Sequence, residues 1–165
     1  MESILEKYDM LLEALKNELK LFYGERLISA VVFGSVGRRT PNYNSDIDIL
    51  IISEKLPAGR IKRVKEFGLI EERLEPLISS LKDCGINTYI SPVIKTPEEV
   101  GAGSPLFLDM TLDAQILIDK DGFFARELEN LRKRLNILGS KRIYRGNAFF
   151  WDLKPDYKPN EDIII

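Results

Sequence analysis

Two carboxylates, Asp46 and Asp48, alternate with apolar residues in Ser45-Asp-Ile-Asp-Ile-Leu-Ile-Ile52. On an extended strand, residues two apart leave the same face, so both acids point one way. Carboxylates held this close repel, and each disfavours ionisation of the other. A divalent cation removes that repulsion, and an all-oxygen pair suits Mg²⁺ or Mn²⁺. Mg²⁺ commonly takes one or two protein carboxylates and completes its shell with substrate phosphates. The chain supplies phosphate-binding groups nearby. Gly34 lets backbone approach a ligand, Ser35 adds a hydroxyl beside free amides, and Arg38 and Arg39 add charge-assisted contacts. Ser45, directly before the acids, belongs with this phosphate-binding group. Cation ligands, a phosphate cradle and basic side chains together describe a nucleoside triphosphate site, where positioning and charge neutralisation do most of the work.

Gly34-Ser35 and the acid pair are separated by a loop, so two elements must bring them together. Leu27–Phe33 is a mostly apolar, β-branched run ending at Gly34, and Ile47–Ile52 is a second. Both read as buried strands. The 12 residues from Gly34 to Ser45 are too few for a crossover helix and two turns, so the strands are expected to run antiparallel. Gly34 and Ser35 then sit at the same sheet edge as Asp46 and Asp48. The segment is neither G-x-G-x-x-G nor a P-loop with its Lys-Ser/Thr.

This arrangement, strand, Gly34-Ser35, basic loop, Ser45-Asp-Ile-Asp48, strand, resembles the nucleotidyltransferase superfamily of the DNA polymerase β type, in particular its small prokaryotic "minimal" members with an archaeal look. The specific match covers about 20 residues around Gly34, Ser35, Asp46 and Asp48. The resemblance implies an α+β, α/β-like fold, a small mixed sheet flanked by helices. It implies metal-dependent transfer of a nucleoside monophosphate from a triphosphate such as ATP to a hydroxyl, with Asp46 and Asp48 as catalytic residues and metal ligands. The acceptor stays open between a small molecule, a protein hydroxyl and an RNA end. Relatives also pair with a helical HEPN-type toxin, which gives an alternative: an antitoxin-type interaction protein, or a nucleotide binder without turnover. The superfamily often carries a third carboxylate on its next strand. Here Ile86–Lys95 has none, Thr88 or Ser91 occupying that place, and Asp109 and Asp113 are the remaining candidates.

The rest of the chain reads as packing. Ser3–Tyr23 places Tyr8, Leu11, Leu12, Leu15 and Leu19 at helical spacing, and Gly24 stops it. Gly59–Lys82 is a second helix with Pro76 expected to kink or restart it. Its first turn, with Arg60, Lys62, Arg63 and Lys65, reads as a solvated face. Pro92 suits an edge strand or a bulge. A short helix follows Ser104, a strand covers Ile116–Ile118, and a helix runs Phe123–Leu138 to Gly139. Residues 1–139 are expected to form the nucleotidyltransferase domain. Residues 140–165, aromatic and basic, form an extension packed on it, with a hairpin as one form.

Composition bounds the reading. The 165 residues suit one domain; 44% are hydrophobic and 30% charged, and the net charge is −2. A near-neutral surface gives no general attraction to long nucleic acid or an anionic membrane. The single Cys84 and the lack of an apolar membrane-length run point to a reducing cytoplasm. The absence of histidine excludes a histidine base or metal ligand. An apolar Ile163-Ile-Ile165 end suits pairing with a sheet edge or a partner, and homo-oligomerisation stays open.

Overall fold

The computed structural model describes residues 3–146 and 148–165; Met1, Glu2 and Asn147, within the two expected spans, lie outside the described residues. Ser3 caps the first helix, α1 (Ile4–Tyr23), through a reciprocal box with Glu6, which satisfies two otherwise unpaired amides. A single 3₁₀ turn leads into β1 (Leu27–Phe33). One helical turn, α2 (Gly34–Gly37), opens the loop that returns as β2 (Ile47–Ser53). Then come α3 (Arg60–Asp83), β3 (Ile90–Lys95), α4 (Pro97–Gly101), α5 (Leu106–Asp113) and β4 (Gln115–Asp119). A 3₁₀ turn precedes α6 (Phe123–Leu138), and β5 (Lys141–Arg145) pairs with β6 (Ala148–Asp152) in a hairpin.

Four strands form one mixed sheet in the order β3-β2-β1-β4. β1 is antiparallel to both neighbours, while β2 and β3 are parallel because α3 supplies the crossover. The alternation of side chains divides β1 and β2 between two apolar layers. Ala30, Val32, Ile47, Ile49 and Ile51 pack with α1 and α3. Val31, Leu50 and Ile52 pack with Val100, Phe107, Met110, Phe124 and Leu128 on the opposite face. Covering both faces explains why the two strands read as nearly unbroken apolar runs rather than alternating ones.

The antiparallel pairing of β1 and β2 agrees with the sequence reading, as do α1, α6 and the edge position of β3. Several details differ. Pro76 does not interrupt α3, which is continuous over 24 residues. Pro76 lies on an exposed face, so the carbonyl it leaves unpaired meets water. The third strand starts at Ile90 rather than Ile86, because residues 86–89 bond instead to the helix end and to the β1–β2 loop, with Ile86 N–H donating to Leu81 O and Asn87 N–H to Tyr43 O. α5 begins after Pro105, one residue beyond the expected cap, although Ser104 Oγ still accepts from Leu106 N–H. The basic opening of α3 is not uniformly solvated, since Arg63 bonds Glu99 at 2.6 Å and the Pro57 and Ile94 carbonyls. No helix among the described residues is long and apolar enough to cross a membrane.

Candidate functional site

The register places Phe33, the last residue of β1, opposite Asp48 on β2. Gly34 therefore turns directly beside the Asp48 carboxylate. Its φ of +67° lies in the left-handed region, and a Cβ there would stand 2.5 Å from Asp48 Oδ2. Only glycine meets both demands. Gly37, at the other end of α2, is equally tight: a Cβ would lie 2.7 Å from the carbonyl oxygens of Val32 and Asp113. The short helical turn is thus clamped between β1 and the end of α5, with its first residue on the Asp48 carboxylate.

The loop that follows is stitched from both sides. Ser35 Oγ donates to Ser45 Oγ at 3.0 Å, and Ser45 Oγ also accepts from Asn42 N–H at 2.9 Å. Tyr8, from the buried face of α1, donates its hydroxyl to the Ser45 carbonyl at 2.6 Å and to that of Asn42 at 3.2 Å. Ile47 N–H donates to Tyr89 O at 2.9 Å, tying the start of β2 to the segment before β3. Ser35 and Ser45 are thereby brought together, and the acids that follow Ser45 begin from a fixed point.

Asp48 carries the electrostatic signature of a crowded site. Burial pushes its carboxyl above the usual range, the neighbouring Asp46 pushes it further, and Arg38 partly opposes both. Tyr89 is 62% exposed, and its phenol is pushed up by the Asp46 carboxylate against it. In the parallel register Ser91 lies opposite Asp48. The expected position of the third carboxylate is therefore occupied by a hydroxyl.

The two loop arginines part company. Arg38 stays near Asp48 and reaches Asp113 Oδ2 at 3.8 Å. Arg39 turns to α1 and forms a two-point pair with Asp9, its Nη2 donating to Oδ2 at 3.0 Å. Asp113 and Asp109 face the C-terminal hairpin: Arg142 Nη1 lies 2.5 Å from Asp113 Oδ2, and Trp151 Nε1 donates to Asp109 Oδ1 at 2.8 Å. Among the described residues no three acidic or cysteine side chains converge on one ion position. The acid pair itself fits a divalent cation. Its donors are all oxygen, its two charges repel, and the missing Cβ at Gly34 keeps the space beside Oδ2 clear.

Of the residues expected from sequence, the structure brings Gly34, Ser35, Ser45, Asp46, Asp48 and Arg38 together, and it turns Arg39 away. Sequence reasoning missed Tyr8, Tyr89 and Arg142. The spacing of α1 shows that Tyr8 is buried but not where its hydroxyl goes. Two cavities, about 400 Å³ between α4–α5 and α6 and about 320 Å³ beside the start of α3, include neither Asp46 nor Asp48 in their walls. The acid pair lies instead at the start of β2, half-buried beside the Gly34 turn.

A family model of the nucleotidyltransferase domain matches residues 11–99. A protein of Methanocaldococcus jannaschii provisionally named a protein adenylyltransferase is 32% identical over 124 residues, covering 74% of this chain and 79% of that protein. Among solved structures, a toxin–antitoxin crystallised with AMP-PNP aligns over 82% of this chain and 91% of its own, at 17% identity and a TM-score of 0.44. A mutant of the MntA–HpeT toxin–antitoxin aligns over 78% and 89%, at 16% identity and a TM-score of 0.47.

Proposed function

We propose that this chain, which belongs to the nucleotidyltransferase domain family, transfers a nucleoside monophosphate from a triphosphate to a hydroxyl on a protein. The observation that supports the reading is the fit of Gly34 against Asp48: the turn that carries Ser35 begins directly beside a repelling acid pair. The 32% identity to a relative named for protein adenylylation favours ATP as donor and a protein as acceptor.

Asp46 and Asp48 would hold Mg²⁺ or Mn²⁺, which supplies charge neutralisation for the phosphates and the departing pyrophosphate. The chain's own residues do the rest. Amides of α2 and the Ser35 hydroxyl orient the triphosphate, the buried Ser45 hydroxyl holds Ser35 in place, and Arg38 faces the charge that grows on the leaving group. The acceptor oxygen attacks the α-phosphorus, the bond to the bridging oxygen of the β-phosphate breaks, pyrophosphate departs, and the acceptor proton leaves to solvent. Tyr8 holds Ser45 and, through it, the approach to Asp46.

One observation favours a second reading, binding without turnover. No third acid shares the position of Asp46 and Asp48 among the described residues, and Asp109 and Asp113 are engaged elsewhere. In that reading the protein binds nucleotide, or acts as an antitoxin by holding a HEPN-type toxin. Incubation with Mg²⁺ and α-labelled ATP, with and without a candidate protein acceptor, separates the two. Label transfer that disappears in Asp46→Asn supports the enzyme. Tight partner binding with no transfer, unchanged in Asp46→Asn, supports the second reading.

A further inference from the structure

The C-terminal hairpin has no role in the chemistry above, yet one of its side chains ends a row of charges that starts at the acid pair. Arg38 lies 3.8 Å from Asp113 at the end of α5, and from beyond ion-pair distance its charge also favours the ionised form of Asp48. Asp113 is only 12% exposed at its side chain, so leaving it unpaired is costly. Its close partner is Arg142 of β5, also 12% exposed, at 2.5 Å on the same Oδ2. Arg142 is itself fixed. Its guanidinium lies 5.2 Å from the ring centre of Tyr144 and 4.6 Å from that of Phe149, and it donates to the Tyr144 hydroxyl. Arg38 is the loose member, 40% exposed and beyond hydrogen-bond distance of Asp113. The close packing of Gly37 on the Asp113 carbonyl makes this adjacency a fixed property of the fold.

We infer that Arg142 is a positioning residue for triphosphate binding: by neutralising Asp113 it leaves Arg38 free to face the phosphates. The inference rests on the triphosphate reading of the Asp46–Asp48 edge and adds a part of the chain outside it. Without Arg142, the shielded Asp113 carboxylate has Arg38 as its nearest cation. The 3.8 Å approach closes to a direct bond, and one phosphate contact is withdrawn. Charge-assisted hydrogen bonds are strong enough for that exchange to be felt in affinity.

The test is a double-mutant cycle on the full chain, read as the Kd of ATP in the presence of Mg²⁺ by calorimetry, so that turnover is not required. Arg142→Gln is expected to weaken ATP binding about tenfold, the scale of one hydrogen bond to a charged group. Arg38→Gln does the same, and the double variant is no weaker than Arg38→Gln alone. Asp113→Asn in the Arg142→Gln background restores the affinity. Trp151→Phe, which releases the hairpin's other anchor on Asp109, leaves the Kd unchanged and separates charge relief from loss of hairpin packing. Additive effects of Arg38→Gln and Arg142→Gln, or no rescue by Asp113→Asn, overturn the inference. If Arg142→Gln unfolds, Arg142→Lys loses the stacked fork that holds the cation on Asp113, and Asp113→Asn in that background is expected to bind ATP within about twofold of the parent; a tenfold loss there overturns the inference as well. Failure of the parent protein to bind ATP at all removes the triphosphate reading instead.

Discussion

The carboxylate of Asp48 occupies the space that a side chain on Gly34 would need: a Cβ at residue 34 would fall only 2.5 Å from Oδ2. Gly34→Ala therefore faces two penalties. The left-handed backbone costs about 1–2 kcal/mol for a non-glycine residue, and Asp48 must move. The expected outcome is a lower midpoint in urea unfolding together with loss of Mg²⁺-dependent stabilisation. A variant with wild-type Mg²⁺ response would show that the close approach has no bearing on the acids.

Asp46→Asn and Asp48→Asn each remove one charge from the pair while keeping size. Loss of several kcal/mol of transition-state stabilisation corresponds to a fall in label transfer of about a hundredfold or more. Nucleotide transfer at a rate near that of the parent in both variants would exclude this edge as the reaction centre.

The raised Asp48 carboxyl carries a sign that can be read in stability. Its folded state holds a proton more firmly than the unfolded chain, so the metal-free protein loses stability as pH rises from the ordinary carboxylate value through the raised one. Above that window the penalty is constant; below it there is none. Asp48→Asn should thus melt higher than the parent at pH 7 in EDTA, with the gap closing as pH drops below about 4. Mg²⁺ should raise the melting temperature of the parent and leave that of the variant unchanged. A gap that widens on acidification contradicts the assignment.

Tyr8→Phe keeps the buried ring and deletes the donor to the Ser45 and Asn42 carbonyls. Leaving such acceptors short of a partner costs about 1–3 kcal/mol. Because Ser45 also receives Ser35, the KM for triphosphate is expected to rise more than kcat falls. Urea unfolding and steady-state kinetics on one preparation check both halves.

How much was legible in the residues varies along the chain. Gly34-Ser35 and Asp46-Ile-Asp48 stand close in sequence, and strand alternation alone puts both acids on one face. The short connection between β1 and β2 settles their direction for the same local reason. Asp109 and Asp113 were harder, because their partners Trp151 and Arg142 lie 42 and 29 residues away on a hairpin that no local pattern docks there. Arg38 and Arg39 are adjacent and chemically identical, yet one stays near Asp48 and the other pairs with Asp9; α1 decides this, and only tertiary structure brings α1 to the loop. α4 escapes a reading of periodicity although Thr96-Pro-Glu-Glu99 holds a complete capping box with proline in the first turn. Its short span between two stronger segments presents too few turns to register.

Pro92 sits within an unbroken ladder between β3 and β2, so its nitrogen faces the outer margin of the sheet. A neighbouring polypeptide attempting to add itself as a further strand there would find a missing donor in the middle of the row. The imino ring thus discourages fibre-like stacking of copies at that margin, on the strand that flanks Asp46 and Asp48.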